Sequence, residues 1–162
     1  VNVTDECGEA LKLKNSGRGL AFDDLDNDGR IDVVILNSND RPTILRNESV
    51  TGNHWIQIRL RGVQSNRDGV GARVYVVAGD LQQMDEVHSG RGYQSHWGTR
   101  LHFGLAKNQR VERIEVHWPR SGVVDILEDV PVDRMLTIVE GSAQSKVKPR
   151  FIYPVLSGPL RK

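Results

Sequence analysis

Short runs rich in β-branched residues, each ended by Gly, Asn, Asp or Pro, recur along most of the chain. Valine and isoleucine together number 29 against 6 alanines, a balance that favours pleated strands and excludes a helical bundle. The turn residues return about every 8 to 12 positions, a spacing typical of β-sandwiches and barrels. We therefore predict an all-β fold with strands over residues 31–36, 43–46, 55–60, 72–78, 84–88, 100–103, 111–118, 123–127 and 135–139.

The polar, glycine-containing segment 47–53 divides the chain into two predicted domains. Residues 1–50 hold the first two strands as a hairpin unit, in which the apolar run 31–36 is expected to be covered on both faces, and a short helix is expected over residues 5–13. Residues 51–141 are predicted to form an antiparallel β-sandwich or barrel. Residues 142–162 are basic and contain three prolines, which predicts an extended tail.

Charge, hydropathy and cysteine content exclude several classes of function. The formal net charge is +1, so the whole-molecule charge would not recruit nucleic acid. No apolar run approaches the roughly 20 residues that a membrane-spanning helix needs. The single cysteine, Cys7, cannot form an intramolecular disulfide, and the chain begins at Val1 rather than methionine. We therefore expect a fragment or a processed form of a larger protein.

One acidic loop carries the strongest chemical signal. Residues 23–32 read DDLDNDGRID, with a local charge of −4, and lead directly into an apolar run. Alternate carboxylates in a tight loop converge on one point, and Gly29 allows the sharp turn. Because an all-oxygen set of this kind suits a hard cation, the loop predicts a calcium site. Its predicted ligands are Asp24, Asp26, Asp28, Asp32 and the backbone carbonyl of Arg30.

This loop is not an EF-hand. Its spacing matches the start of an EF-hand loop, but the position that needs a bidentate glutamate is Ile35, inside an apolar run. Strand-like residues also follow where an EF-hand requires a helix. The motif therefore predicts a calcium loop that leads into a strand. The alternative is an acidic turn that binds no ion, and the mutual repulsion of four carboxylates counts against it.

The glycine-rich segment 89–98 offers a second candidate site. Aromatic rings on a loop can stack on a sugar face while the glycines allow close approach. The candidate carbohydrate-binding residues are Arg91, Tyr93, His96 and Trp97. Trp97 is expected to be exposed in this loop, whereas Trp55 and Trp118 lie on apolar strand faces and are predicted to pack in the core.

Several segments resemble two known families, in the expected order. GRGLAFDDLDNDGRIDVVILNSNDRPTILRNES resembles one FG-GAP repeat of the VCBS type. The later segments NHWIQIRLRG, SNRDGVGARV, SGRGYQS, LHFGL and RIEVHWPRSG resemble the ASPIC/UnbV domain found at the C-terminal end of cartilage acidic protein and in many bacterial surface proteins. The first resemblance implies a propeller-blade-like unit with calcium in its loop, and the second implies a β-rich, non-enzymatic module. Because a propeller needs roughly four to eight blades, a single repeat implies further repeats upstream.

These patterns together predict a non-enzymatic, calcium-binding adhesion or interaction module of a secreted or cell-surface protein. The expected partners are proteins or glycans at the cell surface and upstream FG-GAP repeats, with no role for nucleic acid. A carbohydrate-binding module that uses Tyr93 and Trp97 is the alternative. Because the second domain contributes no predicted ligand, loss of calcium is expected to loosen residues 1–50 and to spare the sandwich of residues 55–139.

Overall fold

The computed structural model describes residues 8–93 and 95–143, and within them the chain forms ten strands and one short 3₁₀ helix, Glu9–Lys12. Strands β1 (Gly17–Asp23), β2 (Asp32–Asn37) and β3 (Thr43–Leu45) form one antiparallel N-terminal sheet. The other strands are β4 (His54–Arg61), β5 (Arg73–Ala78), β6 (Leu81–Glu86), β7 (Leu101–Ala106), β8 (Arg110–His117), β9 (Val124–Pro131) and β10 (Arg134–Val139). They form a three-stranded sheet in the order β10-β4-β7 and a four-stranded sheet in the order β6-β5-β8-β9.

The predicted all-β fold is confirmed, because the described residues form ten strands and a single four-residue 3₁₀ helix. Side chains from both larger sheets meet in one buried core. On β4, Ile56, Ile58 and Leu60 alternate into this core, as apolar residues of a half-buried strand do. Trp118 joins the same core with 2% of its surface exposed, as predicted. Strands β4 to β10 thus form a β-sandwich of two sheets, and the described part of the chain contains no closed barrel.

Strand β10 is the exception to antiparallel pairing. It runs parallel to β4, with Arg134 opposite Ile56 and Ile138 opposite Leu60. Every other strand pair in the described part of the chain is antiparallel. Because β9 lies in the four-stranded sheet, the chain crosses from one sheet to the other between β9 and β10. The residue pattern does not reveal this crossing, since side chains alternate in the same way in parallel and antiparallel strands.

The N-terminal sheet differs from the prediction in two respects. The sequence pattern does not predict β1, because Gly17 and Gly19 weaken a strand signal, and the register shifts between these two residues. The prediction that the apolar run of β2 is covered on both faces is wrong, since most of β2 is only half-buried and Leu36 is 56% exposed. Ile44 of β3, on the same face, is 60% exposed. One face of this sheet is therefore open.

The chain ends are described only in part. The helix predicted over residues 5–13 is reduced to the four residues Glu9–Lys12, and residues 5–7 of that prediction lie outside the described residues. The extended tail is predicted over residues 142–162, and positions 144–162 likewise lie outside the described residues. In the part of the chain that is described, no helix combines the length and apolar character needed to cross a membrane.

The outer face of the β10-β4-β7 sheet positions the acidic loop. On β4 the inward residues alternate with outward ones, and outward-facing Gln57 lies directly opposite His102 of β7. Gln57 donates a hydrogen bond to Asp24, and Arg100, just before β7, donates to the backbone carbonyl of the same residue. The loop between β1 and β2 is thereby held against the sandwich.

Candidate functional site

The acidic loop turns the chain from β1 into β2. Two of its residues adopt left-handed backbone conformations, Asn27 with φ of 59° and Gly29 with φ of 88°. Asparagine and glycine tolerate this conformation better than other residues do, which explains why the turn forms here. The carboxylates on both sides of the turn are brought back towards one another.

Three carboxylates meet in the loop. Ligand oxygens of Asp24, Asp26 and Asp28 all lie within 4.8 Å of one another. Asp24 is buried, Asp28 is half-buried and Asp26 is exposed, so the group opens towards solvent on one side. The donor set consists of oxygen atoms alone, which suits a hard cation such as calcium better than a soft or transition metal. These residues therefore fit the predicted ion, while calcium binding itself stays a prediction.

Asp32 does not belong to this group of three. It is 3% exposed, and both of its carboxylate oxygens accept backbone hydrogen bonds. Leu25 N donates to Oδ2 at 3.1 Å, and Asn47 N donates to Oδ1 at 2.8 Å. Asp32 thus fastens the start of the loop and the chain after β3 to the start of β2. Its predicted role as a ligand, and that of the Arg30 carbonyl, stay predictions.

Arginines partly neutralise the loop. Arg46 lies 2.7 Å from Asp26 Oδ2, and the guanidinium of Arg30 pairs with Asp28. Although desolvation acts in the opposite direction, the positive charge of Arg46 and hydrogen bonds from Arg46 and Asp28 hold the pKa of Asp26 below its usual value. Both side chains of the pair between Arg46 and Asp26 are more than a third exposed, so this pair is weak and a divalent cation would compete with it.

Asp24 is the carboxylate that joins the loop to the sandwich. It is 1% exposed, and its Oδ1 accepts a hydrogen bond from Asp28 N at 3.0 Å. Its Oδ2 accepts from Gly29 N at 2.8 Å and from Nε2 of Gln57 at 2.6 Å. The first two donors lie in the loop itself, but the third comes from β4. The orientation of this carboxylate therefore depends on both structural units.

Arg100 forms a second connection between the loop and the sandwich. Its Nε donates to Asp23 Oδ1 at 3.0 Å, and its two terminal nitrogens donate to the Asp24 carbonyl at 2.7 Å and to Asn27 Oδ1 at 2.8 Å. The guanidinium contacts three successive parts of the loop, and 18% of the Arg100 side chain is exposed. Arg100 therefore holds the loop both by its ion pair with Asp23 and by the fixed directions of its guanidinium hydrogen bonds.

Trp55 lies beneath the turn. A Cβ atom on Gly29 would stand 1.9 Å from Trp55 Nε1, so glycine is required both by the positive φ and by this close approach. Trp55 stacks on His102 with ring centroids 6.1 Å apart and an interplanar angle of 9°. Burial lowers the pKa of His102, against the opposing charge of Asp24, so the ring is neutral at neutral pH. The prediction that Trp55 packs in the core is wrong, since it is half-buried on the outer face of the sheet.

A cleft separates the glycine-rich segment from the N-terminal sheet. It has a volume of about 400 Å³, and its lining includes Tyr93 and Trp97 together with Phe22 of β1. Trp97 is half-buried rather than exposed, because its ring contacts Phe22 edge to face with centroids 5.7 Å apart. Tyr93 is 81% exposed.

The other two candidate carbohydrate-binding residues do not line this cleft. Arg91 donates to Asp85 at 3.1 and 3.2 Å and to the Glu86 carbonyl at 2.9 Å, which anchors the loop to β6. His96 is exposed and is absent from the lining of the cleft. The structure thus brings together two of the four predicted residues and gives Arg91 a structural contact.

Sequence reasoning missed Gln57 and Arg100. Gln57 occupies an outward position of an alternating strand, where a polar residue normally contacts water. It lies 33 positions along the chain from Asp24. Arg100 lies 76 positions from the same residue. No local motif indicates either contact, since both arise where the acidic loop packs on the sandwich.

Comparison with known proteins identifies the C-terminal part of the chain. The family described as ASPIC and UnbV matches residues 62–145, which are 84 of the 162 residues. The match begins after β4, although Ile56, Ile58 and Leu60 of that strand lie in the same core as the matched strands. No curated protein matches the chain.

Proposed function

Since the chain belongs to the ASPIC and UnbV family, we propose that it is a non-catalytic, calcium-binding interaction module of a larger secreted or cell-surface protein. In this proposal residues 1–50 act as an FG-GAP-type repeat that presents the cation loop, and the sandwich supports it. Its partners would be proteins or glycans at the cell surface, together with upstream repeats of the same protein.

One observation carries the proposal: the three carboxylates of Asp24, Asp26 and Asp28 converge within 4.8 Å on a turn between two paired strands. Three like charges at this separation repel one another, and a bound divalent cation would relieve the repulsion. The weak pairing of Arg46 with Asp26 partly relieves this repulsion, and the group of three carboxylates stays open to solvent on one side. The all-oxygen donor set supports calcium over a soft metal.

Calorimetric titration of the whole chain with calcium tests the site. We expect a heat of binding that Asp28→Ala abolishes or strongly weakens, since this variant removes one of the three converging carboxylates. Asp80→Ala is the matched control, because Asp80 is exposed in the turn between β5 and β6 and lies outside the loop. Binding that is unchanged in Asp28→Ala would remove this loop as the site. Hydrolysis of an ester, glycan or peptide by the pure chain would contradict the non-catalytic role.

The cleft beside the N-terminal sheet supports a second candidate function, carbohydrate binding. Tyr93 and Trp97 present aromatic rings to a cleft of about 400 Å³, and such rings stack on sugar faces. A glycan array probed with the unaltered chain and with Tyr93→Ala tests this function. Signals that disappear in the variant would support it, and an array that stays blank with and without calcium would count against it.

A further inference from the structure

The side chain of Gln57 is unusual for the outer face of a strand. It is 1% exposed, and its Nε2 donates to Asp24 Oδ2 at 2.6 Å and lies 3.4 Å from His102 Nδ1. Its Oε1 is buried, with no hydrogen-bond partner in the described part of the chain. Buried polar atoms nearly always find a partner, so an amide left half-satisfied beside a cluster of carboxylates calls for a functional reason.

We propose that Gln57 is a positioning residue of the cation site, so that the site is shared between the acidic loop and the sandwich. The amide holds the Asp24 carboxylate in the orientation that faces Asp26 and Asp28. Calcium binding and the docking of the loop on β4 are then one linked equilibrium. This inference rests on the proposed function, since it assumes that the loop binds calcium.

The burial of the three carboxylates supports this role. Asp24 is the only one of them that is buried, so it has lost the most hydration and depends most on protein donors. Its two loop donors, Asp28 N and Gly29 N, would move with the loop if the loop left the sandwich. Gln57 is the donor that stays fixed on β4, and therefore it sets the position of Asp24 relative to the sheet.

Linkage makes the coupling reciprocal. If the docked loop binds calcium more tightly than the undocked loop, calcium must favour docking by the same factor. The contacts of Arg100 with Asp23 and Asn27 and the approach of Trp55 to Gly29 belong to the same docked state. Removal of calcium would then loosen the segment around Arg100 as well as residues 17–29. This differs from the expectation that calcium loss affects residues 1–50 alone.

The first test measures calcium affinity in the whole chain by calorimetry. Gln57→Met keeps the length and bulk of the side chain and removes its amide without changing the charge. We expect calcium affinity to fall about tenfold, the usual effect of removing a hydrogen-bond partner of a metal ligand. Gln82→Met is the matched control, since Gln82 is exposed on β6 in the other sheet, and its affinity should equal that of the unaltered chain.

The second test uses Gln57→Glu, which keeps the polarity of the site in case the methionine variant does not fold. A carboxylate at this position repels Asp24 when calcium is absent and is compensated when calcium is bound. We therefore expect a lower melting temperature in chelator and a larger rise on adding calcium than in the unaltered chain. A side chain with a packing role alone would lower both melting temperatures by similar amounts.

Hydrogen exchange with and without chelator completes the experiment. Calcium should slow exchange at residues 17–29 and 95–100 of the unaltered chain, and the effect at 95–100 should be lost in Gln57→Met. If the unaltered chain binds no calcium, the proposed function fails and this inference fails with it. If the unaltered chain binds calcium and the Gln57 variants bind with the same affinity and the same calcium-dependent stabilisation, this inference alone is overturned.

Discussion

Glu140, directly after β10, is a buried carboxylate held by five neutral donors. Its Oε2 accepts from the backbone N–H groups of Val63 and Gln64 at 2.6 Å and of Ser65 at 2.8 Å. Its Oε1 accepts from the hydroxyl groups of Ser65 at 2.8 Å and Ser121 at 2.5 Å. Glu140 is 8% exposed, and its carboxylate joins the loop after β4 to the turn after β8. We predict that its negative charge is a major source of stability.

The pKa of Glu140 gives the size of this effect. Desolvation acts to raise the pKa, but the hydrogen bonds from Ser121, Ser65 and Val63 outweigh it and lower the pKa from 4.5 to about 2. Each pH unit between the unfolded and folded values corresponds to about 1.4 kcal/mol, so the ionised carboxylate contributes about 3 kcal/mol. Because the folded value is the lower one, this stability is fully present above pH 4.5 and is lost as the pH falls towards about 2.

The perturbation is Glu140→Gln, which keeps the shape and replaces one acceptor oxygen with a donor NH₂ group. We expect the free energy of unfolding at pH 7 to fall by about 3 kcal/mol, and the deficit to shrink as the unaltered protein is acidified. Urea denaturation at a series of pH values from neutral to acidic measures both effects. Glu48→Gln is the control, since the Glu48 side chain is 77% exposed.

Two results would refute this reasoning. A loss below about 1 kcal/mol at pH 7 would show that the five donors do not hold the charge as the distances imply, because a single hydrogen bond to a charged group is already worth about 1.5 kcal/mol. A deficit that stays constant down to the acid limit would show that packing, rather than ionisation, is responsible.

Three further predictions concern the acidic loop. Arg46→Gln removes a positive charge that pairs with Asp26, so calcium affinity measured by calorimetry should rise about two- to fivefold, and an unchanged or lower affinity would contradict the competition. Gly29→Ala places a Cβ atom 1.9 Å from Trp55 Nε1 at a positive φ, so urea denaturation should show a loss of at least about 1–2 kcal/mol; wild-type stability would mean that the loop does not dock as described. Asp32→Asn leaves one of two backbone donors unpaired, so the free energy of unfolding, measured by melting in the presence of chelator, should fall by about 1–3 kcal/mol. A loss of stability seen only with calcium present would assign Asp32 a ligand role instead.

Local patterns were sufficient to predict most of the strands. The predicted strand 55–60 corresponds to β4 (His54–Arg61), and the predicted strand 135–139 corresponds to β10 (Arg134–Val139). Alternation with a period of two reflects one buried and one outer face, and both can be recognised within a few residues. Strand β1 was not predicted, because its glycines lack the side chains that would show the alternating pattern. Its apolar residues Leu20 and Phe22 are also 40% exposed, so they do not mark a buried face.

The candidate site divides in the same way between local and distant causes. The grouping of Asp24, Asp26 and Asp28 follows from alternate spacing around a turn that contains Gly29, so a short stretch of sequence predicts it. The contact that orients the Asp24 carboxylate comes instead from Gln57, on a strand distant along the chain. The separate position of Asp32 depends on Asn47, which reaches it only because β3 returns beside β2. Spacing alone therefore groups four carboxylates where the packed structure groups three.

The sequence by itself determined the all-β class, the alternating core positions and the acidic turn, because each depends on residues within one strand or one loop. The tertiary structure alone decided that β10 pairs in parallel with β4 and that the loop rests on Gln57, Arg100 and Trp55. These contacts join residues tens of positions apart, and each partner is ordinary in its own local context. Their geometry arises only when distant parts of the chain pack together. The packing places outward residues of one sheet next to the acidic loop, and nothing in the sequence of the loop indicates which residues these are.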